Sequence, residues 1–489
     1  MRIWGISALS HDAALAVVDD GRVVLAAQAE RYSRRKGDPW LADGLLAQAL
    51  AFGRPDRIAW YERPLLKKAR HVRAGQWRAA LTAADLPRRY LRSLDLGFRL
   101  PDIEYVGHHE AHAAAGFVTS DFADAAVIVA DAIGEMSTFT IGHICAGRPL
   151  RVLHRRLYPD SLGLLYSAFT RRCGFKANEE EYIVMGLAAL GEPRHVADIH
   201  DELLERTDPS FRLKLNPHRG IGHWRPEARV EDLAASIQAV TEDVLVAAAR
   251  WARAHTGSPR LVLMGGMALN CVANARVAEL GIFDDIWIFP NPGDAGSSLG
   301  AAAAVADAPV AWSGPYLGTP ISGEYPIERL LDDLRTDGLT AVANGRAEFG
   351  PRALGNRSLL ADPRSTAMKP RLDRIKGRER FRPFAPVVRE ERAHEVFDLP
   401  VPRSPYMQFT ARCRRPADFP AIVHVDGSSR VQTVTREQHA GLHELLVRWE
   451  EATGCPVLLN TSLNSRGEPL VDTLEDAARF ATCEAVRVH

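Results

Sequence analysis

The opening residues alternate short apolar runs with polar turns. Residues 3–8 and 13–18 are almost wholly apolar, Asp19-Asp20-Gly21 marks a turn, and residues 22–28 follow with an apolar centre. Runs of this length bounded by turn residues predict buried strands joined as a hairpin. The pattern returns at residues 125–131, 137–145 and 149–157, with Ala146-Gly147 between the last two. Each unit carries an aspartate at or just after its first strand, Asp12 in one and Asp131 in the other, so the chain reads as a structural duplication.

Helical spacing of apolar residues covers 41–52, 110–118 and, over a long amphipathic stretch, 230–255. That stretch leads into an apolar strand at 261–264, the turn Gly265-Gly266, a helix, a strand and a second glycine turn, Gly293-Asp294-Ala295-Gly296. Strand–turn–helix order of this kind predicts an α/β fold. Residues 312–326 hold three prolines and three glycines and read as a linker.

With 489 residues, the chain has room for two to three domains, and 46% apolar with 25% charged residues is ordinary globular usage. The longest apolar run, 299–306, is broken by Gly300 and stops at Asp307, far short of the roughly 18 residues a membrane span needs. His11 and Asp12 interrupt the N-terminus before a signal core forms. Six cysteines are scattered without a C-x-x-C pair. A soluble, cytoplasmic protein without a structural zinc site or a membrane partner is therefore expected.

Charge changes the picture locally. The totals cancel, 61 Lys plus Arg against 61 Asp plus Glu. Residues 346–382 nevertheless hold eleven cations against four acids, and residues 67–99 hold nine against Asp85 and Asp95, a surplus of seven in each. The first block interleaves its arginines with glycine, proline and phenylalanine. It fits a pocket for a small polyanion, and a solvated face or a nucleic-acid track remain the alternatives. The second block reads as a solvated helical face or a contact for nucleic acid.

Candidate chemistry gathers at a few places. His108 and His112 lie one helical turn apart and can share a metal, but His439 and His443 have the same spacing, so spacing alone decides nothing. Only the first pair precedes an acidic strand end, Asp131, and Asp294 offers a second carboxylate; turn and capping roles are the alternative for both acids. Two imidazoles with carboxylates suit Fe(II), Mn(II) or Zn(II). The glycine turns at Gly265, Gly266 and Asn270, and at Gly293, could offer backbone N–H groups to phosphate, although no Walker or G-x-G-x-x-G pattern is present. Asn460-Thr461-Ser462-Leu463-Asn464, after an apolar strand at 456–459, could hold a polar ligand or simply cap a turn.

Taken together, these residues resemble the ATP-dependent O-carbamoyltransferases of antibiotic and nodulation-factor biosynthesis, the family of tobramycin carbamoyltransferase. The likeness runs almost end to end through His11-Asp12-Ala13, the His108 to His112 run, residues 161–166 and 182–188, 265–274, 293–296, 345–358, 381–386, His424-Val425-Asp426-Gly427 and 460–464. The arginine-bearing run 345–358 is the most diagnostic. The resemblance implies a duplicated actin and sugar-kinase-like, ribonuclease-H-like domain over residues 1–312 and an α+β YrdC-like domain over 313–489. The second would combine carbamoyl phosphate and ATP, with Mg2+, into carbamoyl adenylate, using Arg346, Arg352, Lys376, Arg378, Arg430, Asn460 and Ser462. The first would bind the nucleotide near Gly265, Gly266, Asn270 and Gly293 and transfer the carbamoyl group to an acceptor hydroxyl. There His108, His112, Asp131 and Asp294 match metal positions, with Fe2+ expected and other divalent ions compatible, and His11, beside Asp12, matches the proton acceptor.

The acceptor expected is a small natural product or sugar. A hydroxymethylated DNA base or a tRNA adenosine is the alternative, and a catalytically silent nucleotide-binding regulator is a third reading. A homo-oligomer is compatible with all three. Residues 327–344 look shorter than the family pattern, and the chain stops at His489, so the last strand of the second domain is expected to be short or absent.

Overall fold

The computed structural model describes residues 1–82 and 86–489; of the basic segment 67–99, Asp85 lies outside them. Strands β1 (Arg2–Ser7), β2 (Ala14–Asp19) and β3 (Arg22–Gln28) form an antiparallel meander, and β4 (Arg57–Trp60) and β5 (Ile103–Tyr105) extend it in parallel from β1. The sheet order is 3-2-1-4-5. A second meander follows, β6 (Asp124–Gly134), β7 (Ser137–Cys145) and β8 (Arg151–Leu157). After a small hairpin, β9 (Leu204–Arg206) and β10 (Phe211–Leu213), it is extended in parallel from β6 by β11 (Arg260–Met264) and β12 (Asp285–Trp287). Its order, 12-11-6-7-8, repeats the first sheet strand for strand. The two hairpin turns, one carrying His11 and Asp12 and the other following Asp131, therefore occupy equivalent places.

The inner strands are apolar on both faces because helices cover both. β8 is one of the second sheet's two edge strands and carries Arg151, His154, Arg155 and Arg156 on a largely exposed ribbon, a placement that discourages pairing with another chain. The helix Val230–Thr256 starts with Glu231 and Asp232 and ends with Arg253 and His255 before a left-handed Gly257, so its charges complement its dipole.

The two sheets exchange helices. The helix His108–Val118, which follows the first sheet, packs on β6 and β11 of the second, whereas Ser297–Val305, which follows the second sheet, packs on β1, β2 and β4 of the first. The two helices also pack on each other. A Cβ on Gly300 would come within 1.8 Å of the Ala111 carbonyl oxygen, so only glycine allows this approach.

The rest of the chain builds a third core. Strand β13 (Tyr316–Ile321) pairs antiparallel with β15 (Gly345–Glu348), so 312–326 is not a bare linker; its register breaks between Tyr316 and Pro320, where a proline lacking an N–H is tolerated. A five-stranded mixed sheet has the order β14 (Leu339–Ala343), β16 (Arg357–Ala361), β22 (Val457–Ser462), β17 (Ala385–Arg389), β21 (Gln432–Val434). A smaller sheet joins β18 (Phe397–Asp398), β19 (Thr410–Cys413) and β20 (Ser428–Arg430). Residues 487–489 run beside β14 and make one parallel bridge, Ala341 with Val488. Among the described residues no helix is long and apolar enough to cross a membrane.

Candidate functional site

His108 is the first residue of its helix and His112 stands one turn later, so both rings project from one face into the space between the sheets. The Nε2 atoms face each other at 3.1 Å. Asp131 Oδ2 lies 3.1 Å from His108 Nε2 and 3.4 Å from His112 Nε2, and Asp294 Oδ1 lies 3.3 Å and 3.4 Å from the same two atoms. All four side chains are buried. Gly134 leaves the room for this: a Cβ there would sit 2.0 Å from the His108 ring.

The donor set fits a divalent ion. Ligands held about 2.1 Å from one metal are separated by about 3.0–3.4 Å along octahedral or tetrahedral edges; the five contacts above measure 3.1–3.4 Å, and one ligand atom from each residue lies within 4.8 Å of the other three. Burial works against charge on His108, but Asp294 and Asp131 outweigh it and raise its pKa well above the ordinary value; the same carboxylates raise His112. Asp131 and Asp294 are pulled down despite their burial, chiefly by these imidazoles. The cluster thus gathers two carboxylates in a water-poor cavity, an arrangement that a cation stabilises.

His11 reaches the same cluster from the equivalent turn of the first sheet. Its Nε2 lies 3.6 Å from Asp294 Oδ2, and its Nδ1 is 3.0 Å from Asp12 Oδ2. Desolvation in the cleft opposes its charge, yet Asp294 and Asp12 raise its pKa. The structure thus brings together all six residues expected at this centre.

The glycine turns are less open than the sequence implied. Gly265 N–H donates to the Pro292 carbonyl at 2.9 Å and Gly266 N–H to Asp131 Oδ1 at 3.3 Å. Asn270 caps the helix Cys271–Glu279 through Ala273 N–H and exchanges hydrogen bonds with Gln238. These groups orient the carboxylate and close the loop. Gly293 keeps open space in front of its Cα.

A second set of residues lies where the third core meets the second sheet's helices. Phe381, Val401 and Phe409 pack into the second sheet's core, and Asn274 Nδ2 donates to the Gln408 carbonyl across the seam. Burial destabilises the Arg352 charge, and Arg430 and Arg382 do so further. Lys376 is depressed by burial, then by Arg378 and Arg382. Arginine stays protonated in proteins, so the group favours negative charge nearby; Asp373 lies 2.9 Å from Arg378 and Glu379 3.3 Å from Arg382. Arg352 has no hydrogen bond or ion pair among the described residues, and Arg430 Nε is buried without a partner. Lys376 is held by Ser462 Oγ at 3.0 Å and the Ser462 and Asn464 carbonyls; Asn460 Nδ2 donates to the Ala353 carbonyl and Gln432, leaving its Oδ1 buried and unpartnered. Asn460 and Ser462 sit inside β22, not in a turn after it.

Arg346 stands apart from this group. Its guanidinium donates to the carbonyls of Val24, Leu317 and Gly318, fastening β15 to the first sheet. The sequence also passed over two members: Arg382, whose guanidinium lies 4.6 Å from the Tyr182 ring centroid, and Tyr182 itself, with Lys36 5.7 Å from the same centroid. Both lie in stretches of the family pattern, and the signal was the aromatic residue in each.

His439 and His443 do not share a ligand site. His439 precedes the helix Ala440–Thr453 and caps it: its Nδ1 accepts from Leu442 N–H at 3.0 Å and its Nε2 lies 2.8 Å from Asn356 Oδ1, while His443 faces Glu391. The cap requires neutral imidazole, and burial pushes the His439 pKa down from 6.5 to about 4. The unfolded chain thus takes up a proton that the folded chain refuses. The stabilising contribution is complete above about pH 6.5 and is lost as pH falls towards 4, about 3 kcal/mol in all. His439→Asn keeps a capping side chain and should remove this step from a plot of unfolding free energy against pH. An unchanged acid slope in that variant would count against the assignment.

The family description "Carbamoyltransferase N-terminus" matches residues 89–303, and "Carbamoyltransferase C-terminus" matches residues 331–488. An uncharacterized Synechocystis protein, sll1178, is 37% identical over 98% of this chain and 93% of its own length. Nodulation protein NolNO of Sinorhizobium fredii is 34% identical over 96% of this chain and 76% of its own. Nodulation protein U of Rhizobium tropici is 30% identical over 100% and 94%.

Proposed function

The chain belongs to the carbamoyltransferase family, and from that premise we propose that it activates carbamoyl phosphate with ATP to carbamoyl adenylate and transfers the carbamoyl group to a hydroxyl of a small-molecule acceptor. The observation that carries this reading is the presence of two chemically different centres in one chain: a buried cluster of imidazoles and carboxylates, and a separate group of arginines in which Arg378 pairs with Asp373 and Arg382 with Glu379 but Arg352 and Arg430 have no acidic partner among the described residues. The first suits transfer and the second suits phosphates. In this reading residues 1–312 form the actin and sugar-kinase-like transfer part and residues 313–489 the YrdC-like activating part.

Balance fixes the stoichiometry. Carbamoyl phosphate, ATP and one water yield carbamoyl adenylate, pyrophosphate and orthophosphate; the acceptor hydroxyl then attacks the carbamoyl carbon and AMP leaves. Arg352, Arg378, Arg382 and Arg430 bind and orient the phosphates, and Lys376 is positioned beside them by Ser462 and Asn464. Arg346 acts from outside, through the attachment of β15.

In the transfer centre His108, His112, Asp131 and Asp294 would hold a divalent ion, Fe2+ in this reading, which supplies Lewis-acid polarisation of phosphate or carbamoyl oxygen when bound. With Asp131 and Asp294 neutralised by ligation, Asp12 remains to orient His11. The Nδ1–H of His11 then donates to Asp12, and its Nε2 accepts the acceptor's hydroxyl proton.

Purified protein given ATP, carbamoyl phosphate and Fe2+ under reducing, anaerobic conditions should release pyrophosphate and orthophosphate in equal amounts. Addition of a matching hydroxylated acceptor should yield AMP and a product heavier by one carbamoyl group in place of hydrogen. No pyrophosphate with any acceptor across sugars, glycosides and hydroxymethylated DNA would leave the silent nucleotide-binding reading in its place.

A further inference from the structure

The helices Pro64–Arg73 and Trp77–Leu81 are built inside out. In the first of them four polar side chains turn inward and only Arg73 stays exposed: Lys67 pairs with Glu62 at 2.6 Å and donates to the Leu9 carbonyl, Lys68 donates to the Ala80 carbonyl, and Arg70 lies 3.1 Å from the His71 ring. Leu65, Ala69 and Val72, within about 60° of arc on the helix, face solvent, and Leu65 is 75% exposed. In the next helix, Trp77–Leu81, the same-face pair Trp77 and Leu81 is 61% and 83% exposed. Of fifteen large apolar side chains that stand exposed among the described residues, five (Leu65, Leu66, Val72, Trp77 and Leu81) fall within these seventeen positions. Scattered surface apolar residues need no explanation, but a strip of this kind does.

Charge says what covers it. Arg73, Arg78, Arg89, Arg92 and Arg99 have no ion pair or side-chain hydrogen bond among the described residues, although all five are exposed. Beyond the strip, a cavity of about 640 Å³ is lined by Arg88, Arg92 and Arg99 against Asp95 and Asp102, with Leu91 and Phe98 in its wall. Arg88 is the one of the three paired, to Asp102 at 2.7 Å. We propose that this segment is a peripheral docking surface for an anionic lipid bilayer: Leu65, Val72, Trp77 and Leu81 enter the interfacial layer, unpaired arginines meet the headgroups, and the Arg92–Arg99 cavity takes a headgroup phosphate. Apolar side chains with tryptophan, flanked by arginine, are the composition that the membrane interface selects. Nucleic acid offers the same phosphates but no layer for Trp77 and Leu81.

The test is co-sedimentation of the full chain with phosphatidylcholine vesicles and with phosphatidylcholine–phosphatidylglycerol vesicles, across a salt series. Binding to the anionic vesicles should exceed that to neutral ones at least about tenfold and fall with salt. The variant L65S/W77S/L81S should lose about a hundredfold in binding, and R92E/R99E should lose the preference for the anionic vesicles. Both variants change exposed positions, and thermal unfolding midpoints matching the parent show that they fold. The proposal is overturned if neither vesicle binds, if the apolar variant binds as the parent does, or if the parent prefers duplex DNA to vesicles. A parent that dimerises through the strip, with a monomeric L65S/W77S/L81S variant, also overturns it.

Discussion

His108→Ala should strip the protein of its bound divalent ion and lower carbamoyl transfer on the order of a thousandfold, while leaving pyrophosphate release largely intact. The estimate rests on what one ring does. His108 Nε2 touches His112, Asp131 and Asp294 within 3.1–3.3 Å, so its removal opens three sides of the ligand set at once. Loss of Lewis-acid polarisation is worth several kcal/mol in the transition state, hence about three powers of ten in rate. Arg352 and its arginine neighbours, at a different seam, should be indifferent to the change. Metal content by elemental analysis, with transfer and pyrophosphate assays on the same preparation, decides the matter. Full metal occupancy with parental transfer would sink the assignment, and His443→Ala, with the same sequence spacing from its partner, should behave as the parent protein does.

Arg352→Ala should have the opposite profile. Pyrophosphate release is expected to fall about a hundredfold or more, from the loss of charge-assisted bonds worth about 1.5–3 kcal/mol each, while bound metal stays at the parental level. A second readout separates a phosphate-binding role from a merely structural one. Arg352 repels Arg430 and Arg382 in the absence of anion, so its removal should raise the thermal midpoint of the ligand-free protein and abolish the further rise on adding ATP with carbamoyl phosphate. A variant that unfolds earlier, with catalysis intact, would place Arg352 in the scaffold.

The six residues that meet between the sheets were named through the motifs that carry the family resemblance, because local pattern alone did not separate His108 and His112 from His439 and His443, nor Asp131 and Asp294 from turn and capping residues. The duplicated meander was readable from local pattern, since its strands are continuous apolar runs between turn residues. Other features depend on partners far along the chain. Arg346 and Arg352 share one motif, yet Arg346 finds the carbonyl of Val24, 322 residues away, and Arg352 finds other arginines. Nothing local distinguishes them. Pro320 suggested a linker, but a broken register lets β13 pair around it. His439 looked like a helical histidine because the helix begins immediately after it, and a one-residue shift converts a surface ring into a cap.

The exchange of helices between the two sheets fixes an order of events during synthesis. The helix that covers β1, Ser297–Val305, leaves the ribosome nearly three hundred residues after it. Until then the first sheet has an uncovered apolar face, and closing a loop of that length carries a large entropic cost before any packing is gained. Completion of the first core therefore waits on the end of the second.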